Sequence, residues 1–139
     1  MQKSGRKNET KKKPMKKATT VTVKIDHAFT TLNSYINSER RNRYIGAKIK
    51  KDETQIAEEA FRGLEPILVP VRAIFTWTMK NKRKDLDNVA FAKKFILDGA
   101  VKAGFLQSDN CKFVVGLEDR LKYGEEEFVE VEFIHEMVE

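Results

Sequence analysis

The sequence predicts a mixed α/β domain of the α+β type. It is a small β-sheet with two main helices, in the order strand, loop, helix, strand, helix, strand, strand. Three observations lead there. Three stretches alternate apolar and polar residues with period two, two longer ones repeat apolar residues at helical spacing, and a glycine follows each helical stretch. With 139 residues, 40% of them hydrophobic, the chain can bury one core and has no room for a second full domain.

The first strand is Thr20-Val21-Thr22-Val23-Lys24-Ile25, with Val21, Val23 and Ile25 on one face. Residues 26–44 show no clean period and many polar side chains, so they read as a long loop with at most a short helical turn. Such loops in small domains tend to carry function. From about Ile45 to Arg62 a helix is expected, because Ile49, Ile56, Ala60 and Phe61 recur at its spacing, and Gly63 ends it. Pro66 and Pro70 precede the clearest strand, where Val71, Ala73, Phe75, Trp77 and Met79 alternate with Arg72, Thr76, Thr78 and Lys80. That alternation makes Phe75 and Trp77 core residues rather than base-stacking platforms. After a polar break at Asn81–Lys84, Val89 to Ala103 reads as one helix with Gly104 as a left-handed cap. Phe113 to Leu117 is a short strand, Gly124 a turn, and Val129, Val131 and Phe133 form the inner face of the last strand.

Charge is distributed unevenly. Residues 1–17 hold eight lysines and arginines against Glu9 alone, a net of +7, and read as a disordered basic tail. Residues 18–139, the single folded domain, keep 19 basic and 20 acidic side chains, a net of −1. The overall +6 is therefore a property of the tail and does not by itself imply nucleic-acid binding by the domain. Within the domain, basic residues cluster at Lys80, Lys82, Arg83 and Lys84 and again at Arg40, Arg41 and Arg43, while the last stretch is acidic. The single cysteine, Cys111, excludes an internal disulfide framework, and His27 and His135 are too few for a His-ligated metal. No apolar run approaches the roughly 20 residues of a membrane span, and nothing near Met1 resembles a secretion signal. The expectation is a cytoplasmic protein with no membrane partner.

The chemistry-bearing segment is Lys82-Arg83-Lys84-Asp85-Leu86-Asp87-Asn88, at a strand-to-helix junction. Carboxylates at i and i+2 of an extended segment point the same way, so Asp85 and Asp87 can face one cation. A hard divalent ion such as Mg²⁺ takes one or two carboxylates and keeps several waters. The adjacent cations would hold phosphates over it, which is what phosphodiester hydrolysis needs. Taken alone, the same pattern fits Asp85 as a helix cap, and Asp109-Asn110 fits an ordinary turn.

Lys84-Asp85-Leu86-Asp87-Asn88, then Lys94-x-x-x-Asp98, then Lys102-Ala103-Gly104-Phe105 and Asp109 together resemble the RusA family of phage- and prophage-encoded Holliday-junction resolvases. The likeness covers about Lys82 to Asn110, a fifth of the chain, and the preceding order of strand, Asn33-containing loop, helix and long strand agrees with it. The resemblance implies Mg²⁺-dependent cutting of four-way DNA junctions in recombination and repair by a homodimer. One or two Mg²⁺ would act per site, with Mn²⁺ as a substitute. By motif position Asp85, Asp87 and Asp109 would be the catalytic metal ligands and Lys94 the assisting lysine, with Lys84 and Asn88 at junction-contacting positions. Lys82, Arg83, Asn33 and the Arg40, Arg41 and Arg43 group complete the expected DNA-binding set. The family's lysine follows the second aspartate by four residues, a position occupied here by Phe91. Lys94 follows by seven, which on a continuous helix keeps it on the same face, whereas Lys93 would point about 100° away.

A helix over Asn88–Gly104 would separate its ends by about 24 Å, against at most ~17 Å for the five residues from Gly104 to Asp109. That taut return predicts that Asp109 of one subunit completes the site of the other in a two-fold dimer. Two other readings stay open: a non-catalytic nucleic-acid-binding protein, and a metal nuclease acting on another DNA structure.

Overall fold

The computed structural model describes residues 20–135, so the basic tail and the last four residues lie outside the described residues. The fold is α+β: β1 (Thr20–Ile25), α1 (Leu32–Arg41), α2 (Arg43–Phe61), β2 (Val71–Met79), α3 (Leu86–Ala90), α4 (Lys93–Lys102), β3 (Val114–Tyr123) and β4 (Phe128–His135). The four strands form one mixed sheet in the order β1-β4-β2-β3. β4 runs antiparallel to both β1 and β2, and β3 lies parallel to β2 at the edge. Among the described residues no helix is long and apolar enough to cross a membrane.

The alternating positions read from the sequence build the core. Val23, Ile25, Val71, Ala73, Phe75, Trp77, Met79, Val129, Val131 and Phe133 are all buried and join one cluster with Ala57 and Phe61 of α2 and Phe95, Ile96 and Ala100 of α4. Gly63 and Gly104 have φ of 84° and 81°, the left-handed conformation that suits glycine at a helix end. At Gly104 the cap is a Schellman motif: Phe105 N–H donates to the Ala100 carbonyl at 2.9 Å and Gly104 N–H to that of Val101 at 3.0 Å. Phe105 is thereby delivered into the core beside Phe61 and Phe133.

Three elements differ from the sequence reading. Leu32–Arg41, expected as loop, is a ten-residue helix. Thr31 caps it through its hydroxyl, which accepts from Ser34 N–H, and Tyr35 anchors it against Phe91 and Phe95. None of its residues is buried, so its apolar stripe is too thin to register as a period. The helix expected over Val89–Ala103 is broken at Phe91–Ala92, where Ala92 and Lys94 N–H bond back three residues, to Val89 and Phe91. β3, expected to end at Leu117, continues to Tyr123 in register with β2. Its second half carries Glu118, Asp119, Arg120 and Lys122, which mask a strand whose outer edge is unpaired among the described residues.

Candidate metal centre and nucleic-acid interface

β2 delivers the chain into the basic segment, which the β3–β4 turn holds in place. Glu127 accepts from Lys80 N–H at 3.3 Å and pairs with Lys84 Nζ at 3.6 Å. Asn81 accepts from Arg83 N–H at 2.9 Å, a local turn that leads into α3. Lys82 stands over the Tyr123 ring, 5.5 Å from its centre.

Asp85 occupies the N-cap of α3, yet its carboxylate makes no capping hydrogen bond. Asp87 lies in the first turn. Both are exposed, and among the described residues neither carboxylate has a hydrogen bond or ion pair; the Asp85 main-chain carbonyl accepts from Asn88 and Val89 N–H at 3.1 Å. Two neighbouring hard-oxygen donors without partners among the described residues fit a hydrated Mg²⁺, which needs only one or two carboxylates. Among the described residues, however, no group of three or more acidic, histidine or cysteine side chains converges within one chain.

Asp109 lies elsewhere, against Lys94. Lys94 Nζ is 3.2 Å from Asp98 and 3.5 Å from Asp109, and the pairing, led by Asp98, raises the Lys94 pKa. A lysine with a raised pKa remains charged at neutral pH, so Lys94 is a fixed cation touching one of the three aspartates. The contact also corrects the chain-length argument. After the Schellman turn the loop doubles back along α4, and Asp109 reaches a lysine of its first turn.

The break at Phe91–Ala92 resets the phase of the lysines. Asp87, Lys93 and Lys94 all line one open groove of about 670 Å³, together with Leu97, Leu117 and Asp119. Lys93, expected to point away, does not: its ammonium contacts Asp119 at 2.6 Å, with the two side chains 21% and 22% exposed. Asp119 in turn accepts from Trp77 Nε1–H at 2.9 Å. Sequence pattern does not single out Asp119, because the expected strand over Phe113–Leu117 stops two residues before it. The available signal was a carboxylate between Leu117 and Leu121, at an apolar register position.

Asn33 and Asn88 come together. Asn88 Oδ1 accepts from Asn33 N–H at 2.9 Å, so the Asn88 carboxamide oxygen ties α3 to the first turn of α1. Arg40, Arg41 and Arg43 are exposed at the far end of α1 and the start of α2, about 11 Å along the helix from Asn33. Asn42 between them caps α2 through its side chain, which accepts from Tyr44 N–H at 2.9 Å. Tyr44 is 73% exposed with Arg43 over its ring, whereas Tyr35 is packed inward. The basic segment, the Asn33–Asn88 contact and the arginine corner are thus joined through α1.

No protein-family model matches this chain, and no curated protein matches it.

Proposed function

We propose that the chain is a Mg²⁺-dependent endonuclease that cuts branched DNA, four-way junctions above all, as a homodimer. The observation that carries this reading is the exposed pair Asp85 and Asp87, whose carboxylates have no partner among the described residues, beside Lys82, Arg83 and Lys84. The resemblance to RusA resolvases over Lys82–Asn110 supports it.

Asp85 and Asp87 would hold the ion. When bound, Mg²⁺ polarises phosphoryl oxygens and makes water a competent nucleophile at neutral pH. Hydrolysis joins a water oxygen to phosphorus while one P–O bond breaks and the departing oxygen takes a proton. Lys93 and Lys94, in the groove with Asp87, stabilise the negative charge that develops on the phosphoryl and departing oxygens. Lys82, Arg83 and Lys84 grip flanking phosphates, which gives affinity rather than sequence preference. Although Asp109 folds back to Lys94 of its own chain, the three acids do not converge among the described residues of one chain, so Asp109 would complete the acid set of the partner subunit; two such sites related by a two-fold axis match two cuts in a two-fold junction.

Labelled four-way junction and linear duplex, each with and without Mg²⁺, test the activity. Junction-selective, Mg²⁺-dependent nicking is expected. Binding without cleavage would favour a non-catalytic binding protein, and equal cutting of duplex would favour another nuclease class. Heterodimers of D85N and D109N protomers test the sharing. A shared arrangement leaves one intact site and restores cutting, whereas acids acting within one chain leave both sites dead.

A further inference from the structure

A second groove, of about 530 Å³, runs between α2 and α4 and includes Lys50, Lys51 and Lys102 in its lining. All three lysines are exposed, and none forms an ion pair among the described residues. The groove sits beside a place where the two helices nearly touch. A Cβ on Gly99 would lie 2.6 Å from the Ala57 Cβ and 2.6 Å from the Glu58 nitrogen. Thr54 also lines the groove and is buried, and its hydroxyl has no hydrogen-bond partner among the described residues. Asp98 and Asp109 share the lining; the single ammonium of Lys94 pairs with both and offsets one of their two charges, so the three lysines still leave the groove positive.

We infer that this groove seats the phosphodiester backbone of a DNA arm and leads that strand to Asp109. The identity of the polyanion rests on the nuclease reading; the groove itself rests on its unpaired cations. Three ammonium groups that form no ion pair among the described residues, on two walls of one concave surface and outnumbering the carboxylates of its lining, concentrate positive potential where a chain of phosphates fits. Contacts of this type position DNA without reading its bases.

Each lysine that neutralises a phosphate contributes about 0.9 to the slope of log K against log salt concentration. Junction binding is measured by fluorescence anisotropy in Ca²⁺ buffer across a salt series. The variants are K51Q/K102Q, one lysine from each wall, and a charge-matched K24Q/R62Q control from the β1 strand and the end of α2. Circular dichroism melts confirm that both variants are folded. The groove variant is expected to flatten the slope by about 2, from two phosphates at about 0.9 each, and the control by less than 0.5. Equal changes in the two variants, no change in either, or no binding by the unaltered chain would overturn the groove assignment. A chain that binds through this groove yet never nicks a junction in Mg²⁺ would overturn the nuclease reading alone. A chain that nicks normally with a slope unmoved by K51Q/K102Q would overturn the groove alone.

Discussion

Replacing Asp119 with alanine removes the link between Trp77 and Lys93, and the structure sets the size of the effect. Trp77 is buried, so its indole N–H is left without an acceptor. A hydrogen bond to a charged acceptor contributes roughly 1.5–3 kcal/mol. Lys93 loses a counter-charge at 2.6 Å in a setting where both side chains are about four-fifths buried. Breaking a fully buried pair costs about 3–5 kcal/mol, and residual solvent access at Lys93 brings its share down to about 1–2 kcal/mol. The two losses overlap, because the lysine can rotate outward, so D119A is expected to destabilise the fold by about 2–4 kcal/mol. D119N keeps an acceptor for Trp77 and loses only the charge, which places it near 1–2 kcal/mol. Urea unfolding followed by circular dichroism measures both, and the emission of Trp77, the chain's one tryptophan, reports the local change. D119A within 0.5 kcal/mol of the unaltered protein would refute the network as a structural element, as would a D119N loss equal to that of D119A.

Other outcomes follow from the same structure. D85N and D87N should each abolish Mg²⁺-dependent cleavage while junction binding is kept or tightened, since each removes a negative charge facing the phosphates; filter binding and nicking assays separate the two effects. G99A should lower the thermal midpoint, because its Cβ meets Ala57 and the Glu58 nitrogen at 2.6 Å. Overpacking of about 1–3 kcal/mol there opposes about 1 kcal/mol of improved helix propensity. Tyr35 has a pKa raised above its usual 10.0, first by burial and then by Glu39. Its folded form therefore holds the phenol proton more tightly than the unfolded chain does, so its contribution is complete below pH 10 and falls as pH rises beyond it. Ultraviolet titration should find one tyrosine ionising late, and Y35F should flatten the alkaline loss of stability.

Most of the sheet was legible along the chain, because period-two alternation at 21–25, 71–79 and 129–133 leaves only one way to bury those side chains. The helix ends at Gly63 and Gly104 were legible for an equally local reason, a backbone conformation that few other residues adopt. α1 was not legible. Its stability comes from Tyr35 packing on Phe91 and Phe95 and from Asn88 reaching its first turn, contacts between residues some 55 positions apart.

The candidate site divides the same way. Residue type and spacing alone single out Asp85 and Asp87 as a cation-facing pair next to a basic run, because that chemistry is local. Which lysine faces what, where Asp109 lies, and that Asp119 matters were decided by the tertiary structure. A two-residue break in the helix resets the direction of every side chain after it, and a capped turn sends the following loop back along the helix. Strand pairing then places Asp119 beside Trp77, 42 positions away. Local sequence determines which groups are present and how the nearest of them point, whereas the distances between remote groups depend on how the elements pack.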